Sequence, residues 1–210
     1  EAWGGECISI PADMATLEGI EGFVSKLSSR EAHVDVLVNN AGVAWGAPLE
    51  EFPEIGWDKV MDTNVKGVFF LTQKLLPLLE QNAAHDAPSH IINVGSIDGI
   101  KTPIFDNFSY GPSKAAVHHL TRVLAAHLIK RNIIVNGIAP GPFPTYMLSA
   151  GVGAGGDTEN TDWDALGKSN PRGRVGTPED IAGLAIFLSS RASGFTVGDV
   201  ITCDGGSVVS

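Results

Sequence analysis

Short apolar runs and helically spaced apolar positions alternate along this chain. That alternation predicts βαβ units and a parallel sheet, an α/β fold. Cys7-Ile-Ser-Ile10 reads as a short strand, and Leu17 to Leu27 has helical spacing. Val34-Asp-Val-Leu-Val38 reads as a buried strand running into Asn39-Asn40-Ala41-Gly42. Trp57 to Leu79 is a long helical stretch, open to a break near Gly67, with Pro77 near its end because proline lacks a backbone donor. His90-Ile-Ile-Asn-Val94 predicts a third strand and Tyr110 to Lys130 a long helix. Ile133 to Ile138 predicts a fourth strand, halted by Pro140-Gly141-Pro142. Thr177-Pro178-Glu179-Asp180 has the marks of a helix start: a capping hydroxyl, proline in the first turn and acids beside the helix dipole. Asp199 to Cys203 predicts the last strand, closed by Asp204-Gly205-Gly206.

The 210 residues suit a single domain, 1–210, with a sizeable core. Residues 149–171 break the pattern. They are Gly-rich, then polar, and read as a mobile substrate lid or a disordered insertion. The formal net charge of -10 argues against a nucleic-acid or anionic-membrane partner. No apolar run is long enough to span a bilayer, and the first residues lack the basic and apolar regions of a signal peptide. Cys7 and Cys203 lie in short apolar runs and read as reduced core residues of a cytoplasmic protein. His33, His85, His90, His118, His119 and His127 lack partners at ligand spacing, so no metal site is expected.

The residues that suggest chemistry are Tyr110 and Lys114. Four positions apart on a helix, they share one face. An ammonium there favours the ionised phenol, which brings Tyr110 down from its usual ~10 towards use as an acid/base near neutrality.

Asn39-Asn-Ala-Gly42, Asn64, Asn93-Val-Gly-Ser96, Tyr110-x-x-x-Lys114, Pro140-Gly141 with Thr145, and Asp204-Gly205-Gly206 occur in one order along the chain. Together they resemble the short-chain dehydrogenase/reductase family, from about residue 7 to 210. Within the family, Ala139 to Met147 and the tail are most similar to 3-oxoacyl-carrier-protein reductases of the rhamnolipid-biosynthesis type. The resemblance implies a doubly wound, Rossmann-like sheet with helices on both faces. It implies hydride transfer between a nicotinamide cofactor and a ketone or secondary alcohol. Tyr110 would be the acid/base, and Lys114 would lower its pKa and grip the nicotinamide ribose. Ser96 would hold the substrate oxygen, and Asn64 would anchor a water leading from Lys114. Asn40, Ala41 and Gly42 would line the dinucleotide, Asp13 the adenine, and Pro140, Gly141, Phe143 and Thr145 the carboxamide side. Phe105, Phe108, Tyr146 and Met147 are candidate walls of the substrate pocket, with core packing equally open to them.

The Gly-rich Thr-Gly-x-x-x-Gly-x-Gly turn with which the family opens has no counterpart in these residues. The expected first element corresponds to the family's third strand, so the sequence predicts a sheet without strands 1 and 2 and an apolar edge at Val34–Val38. The determinant of NAD against NADP falls in that segment. NADP is expected from the reductase resemblance alone. A 3-oxoacyl thioester is the expected substrate, with a secondary alcohol or polyol as the alternative. An inactive fragment or scaffold protein is the third possibility. The family pairs its two long helices, so a homodimer or homotetramer is expected around Asn64–Leu79 and Tyr110–Lys130.

Overall fold

The computed structural model describes residues 4–210. Four parallel strands form one sheet in the order β1 (Val36–Asn39), β2 (Ser89–Val94), β3 (Ile133–Pro140), β4 (Val200–Cys203). Parallel neighbours need crossovers, and helices supply them. α1 (Leu17–Ser28) precedes β1. The segment between β1 and β2 holds α2 (Glu54–Met61), a π turn (Asp62–Lys66) and α3 (Gly67–Glu80). α4 (Tyr110–Leu128) joins β2 to β3. α5 (Tyr146–Gly151), α6 (Trp163–Lys168) and α7 (Pro178–Leu188) lie between β3 and β4.

The sheet is covered on both faces, as a doubly wound fold requires. Leu37, Ile91, Ile133 and Val135 pack on one face with Ile20 of α1, Leu71, Leu75 and Leu79 of α3, and Ala125 and Leu128 of α4. Ile92 and Ile138 pack on the other with Leu188, Ile181 and Leu184 of α7. β2 and β3 are therefore buried almost without interruption, with Ser89, His90, Asn93 and Asn136 among their buried polar residues, whereas β1 alternates buried and exposed. Val36 and Val38 are exposed on β1, and among the described residues its outer edge has no partner strand.

Two expectations fail. Cys7–Ile10 is not a strand: these residues have no ladder partner, and Ile8 is exposed. A strand exists only by pairing, which an apolar run alone cannot guarantee. Of the two cysteines only Cys203 packs against the core. Cys7 is exposed for the same reason, and Cys203 is half-buried at the end of the edge strand β4.

Gly67 marks a change of winding. The Gly67 N–H reaches the Asp62 carbonyl, one residue further back than an α-helix allows, and α3 resumes directly. A side chain at Gly67 would collide with the Met14 carbonyl, so glycine lets the approach to α1 cross the helix closely. Pro77 lies within α3, three residues before its end. α7 opens as expected, with Pro178 first and Asp180 accepting the Thr177 N–H at 2.8 Å. No helix of the described residues is long and apolar enough to cross a membrane.

Candidate active site

All four strands point their carboxyl ends the same way, and the segments that follow them meet there. β1 delivers Asn40, Ala41 and Gly42. β2 delivers Gly95 and Ser96. β3 delivers Gly141, Phe143 and Thr145, and β4 delivers Asp204. α4 begins at Tyr110, so Tyr110 and Lys114 face this edge from the first turns of the helix.

Ser96, Tyr110, Lys114 and Asn64 come together. The Ser96 hydroxyl accepts the Asp98 N–H at 3.1 Å and lies close enough to Tyr110 to favour its ionised form. Lys114 is buried, and its Nζ donates to the Val94 carbonyl at 2.9 Å and lies 5.5 Å from the centre of the Tyr110 ring. Asn64, in the π turn, is 1% exposed. Its Oδ1 accepts the Val43 N–H and its Nδ2 donates to the Val43 carbonyl, both at 2.9 Å. Nδ2 also donates to Ser113 Oγ at 3.0 Å, and that hydroxyl donates to the Tyr110 carbonyl at 2.7 Å. Asn64 thus clamps the loop after β1 to the first turn of α4. π turns re-aim single side chains in this way and recur at functional sites.

The electrostatics correct one expectation. Tyr110 is not brought down: burial pushes its phenol up to about 12, Ser96 opposes that, and the Asp98 carboxylate adds to it. Burial also brings the Lys114 ammonium down to about 8. The cation that should stabilise a phenolate is itself costly to keep charged here, so desolvation wins over attraction. At neutral pH the pair is a protonated phenol beside an ammonium.

Asp13 precedes α1, exposed, with Oδ1 accepting the Ala15 N–H at 2.9 Å; the helix cap is Thr16. Thr145 caps α5 by accepting the Leu148 N–H at 3.2 Å. Pro140 ends β3, and Gly141 donates to the Cys203 carbonyl at 3.0 Å. Of the candidate walls, Phe108 packs edge-on against Phe52, Phe105 lies near Gly151, Tyr146 is exposed and Met147 is half-buried. Residues 149–171 hold defined turns: Ser149 and Thr161 share a 2.7 Å hydroxyl hydrogen bond, and Asn170 Nδ2 donates to the Asp204 carbonyl at 2.8 Å.

The donor set fits a dinucleotide. Lys114 offers three donors and spends one on Val94 among the described residues. A Cβ at Gly42 would sit in contact with Lys114 Nζ at 3.5 Å, so glycine lets a ligand approach the backbone beside that ammonium more closely. Sequence reasoning missed Ser113, Asp98 and His118. Ser113 and His118 carry a signal in their spacing, three and eight positions after Tyr110 on one helix.

Residues 1–208 match the family model described as Enoyl-(Acyl carrier protein) reductase. The chain is 44% identical over 202 residues to the rhamnolipids biosynthesis 3-oxoacyl-[acyl-carrier-protein] reductase of Pseudomonas aeruginosa, covering 96% of this chain and 77% of that one. It is 37% identical over 214 residues to gluconate 5-dehydrogenase of Gluconobacter oxydans, covering 100% and 78%. The solved structure of the Pseudomonas aeruginosa RhlG/NADP active-site complex superposes with a TM-score of 0.88 at 42% identity, covering 98% of this chain and 78% of that one.

Proposed function

The chain belongs to the short-chain dehydrogenase/reductase family of NAD(P)-dependent oxidoreductases, and on that premise we propose that it reduces a 3-oxoacyl thioester with NADPH. The observation that carries the chemistry is the meeting of Ser96, Tyr110 and Lys114 at one edge of the sheet, with Ser96 acting on the Tyr110 phenol and Lys114 Nζ 5.5 Å from its ring. The likeness to the rhamnolipid reductase supports the substrate class, and the RhlG complex supports NADP.

The chemistry NADPH supplies is a hydride for the carbonyl carbon. As the C=O π bond breaks, its electron pair moves to oxygen, which becomes an alkoxide. Ser96 holds that oxygen by a hydrogen bond, and Tyr110 gives it a proton. A phenol held at about 12 is protonated at neutral pH, the form that reduction needs. The Lys114 ammonium offsets the negative charge left on the Tyr110 oxygen. Lys114 and the small residues 40–42 would hold the nicotinamide half, with Asp13 near the adenine and Phe143 and Thr145 near the carboxamide. Residues 149–171, tied to the β4 end through Asn170, would cover the substrate.

A second reading follows from the likeness to gluconate 5-dehydrogenase: oxidation of a polyol acid by NADP. Rates with acetoacetyl thioester plus NADPH and with gluconate plus NADP separate the two. Thioester reduction faster by at least about tenfold in kcat/KM supports the first, and the reverse order supports the second.

The proposal includes a homodimer. Met61, Val65, Phe69, Phe70 and Leu120, with the Asp62–Lys66 ion pair, line a shallow, mainly apolar hollow of about 400 Å³ between α2, the π turn, α3 and α4, in which Phe69 is exposed. A twofold pairing of these helices would bury it.

A further inference from the structure

His118 lies one turn beyond Lys114 on α4 and is 5% exposed. Its Nε2 accepts the backbone N–H of Ser96 at 3.3 Å. The ring occupies a slot that only glycines permit. A Cβ at Gly95 would come within 2.1 Å of Nε2, and a Cβ at Gly99 within 2.8 Å of Cε1. Gly95 and Gly99 therefore bracket the Ser96 turn so that an imidazole can fit inside it. The other side of that turn is fixed by the Ser96 hydroxyl, which accepts the Asp98 N–H.

We propose that His118 is a positioning residue for the reduction: by accepting the Ser96 amide, its imidazole sets the turn that aims the Ser96 hydroxyl at Tyr110. An acceptor at Nε2 puts the ring proton on Nδ1. The surroundings favour that uncharged form. Burial is the largest cause, and the nearby Arg122 and Lys114 cations add to it, bringing His118 down to about 4. A protonated ring would present N–H to N–H and lose the contact.

The inference rests on the reaction proposed above, and a double-mutant cycle in the full chain keeps the two apart. Turnover of acetoacetyl thioester with NADPH is compared for wild type, His118→Leu, Ser96→Ala and the double variant. His118→Leu should lower kcat roughly tenfold, the effect of one misplaced hydrogen bond, with NADPH affinity unchanged. His118→Gln, which restores an acceptor, should recover most of it. In the Ser96→Ala background His118→Leu should cost nothing further. An equal loss in both backgrounds would make His118 a packing residue and overturn the inference. Unchanged turnover in Ser96→Ala would instead contradict the proposed reaction. A readout independent of turnover is nitrogen NMR of the imidazole at pH 7. Nε2 should be unprotonated, and a proton on Nε2 would overturn the inference whatever the activity.

Discussion

Lys114 Nζ donates to the carbonyl of Val94, the last residue of β2, at 2.9 Å. This contact ties the helix that carries Tyr110 to the strand that delivers Ser96. It also holds an ammonium where burial makes its charge costly, so the residue that organises the site weakens the fold.

Lys114→Met should therefore abolish turnover yet raise stability. A lowered lysine pKa means that the unfolded chain binds more protons between about pH 8 and 10.5, so the cost is greatest below pH 8 and is relieved as pH rises. After the lost Val94 hydrogen bond is counted, the gain at pH 7 should be about 1 kcal/mol by thermal or urea unfolding. A less stable variant would show that the ammonium is a net stabiliser.

The pH profile of reduction has a defined sign. Lys114 loses its charge through about pH 8, while Tyr110 stays protonated to about 12. kcat/KM for reduction should fall as pH rises through about 8, because the charge facing the Tyr110 oxygen is lost first. A profile flat to pH 10 would contradict this order.

Asn64→Ala removes both bonds to Val43 and the bond to Ser113 at a site closed to water. The stranded Val43 groups should cost about 2–4 kcal/mol in urea unfolding. Asn64→Ala should also slow turnover, because Ser113 no longer links the β1 loop to the Tyr110 turn. A loss below about 0.5 kcal/mol would mean that water replaces the amide.

Phe69→Glu places a charge beside the apolar hollow on α3 and α4. Light scattering should show a monomer for Phe69→Glu and a dimer for wild type. The same mass for both proteins would remove this interface.

The strands β2 and β3 and the long helices were legible in the sequence because Ile91-Ile92 and Ile133-Ile134-Val135 form short apolar runs and α4 keeps one helical face. Cys7–Ile10 was misread because apolar character does not supply a ladder partner. The Tyr110–Lys114 pair was legible by spacing, but the direction of the Tyr110 shift was not, since it depends on burial that spacing cannot reveal. Asn64 could be named but not its π turn, which arises where Gly67 lets α1's approach cross the helix. Ser113 and His118 act through partners far away in sequence, Asn64 and Ser96, so only the folded chain shows their roles.

The most direct test is Tyr110→Phe, which removes one oxygen and the proton it carries. Turnover of acetoacetyl thioester should fall by about 10²- to 10⁴-fold, the usual contribution of a positioned acid. NADPH binding, read by cofactor fluorescence, should stay within about threefold, a change of roughly 0.6 kcal/mol. Turnover within a few-fold of wild type would contradict the assignment of Tyr110 as the proton donor.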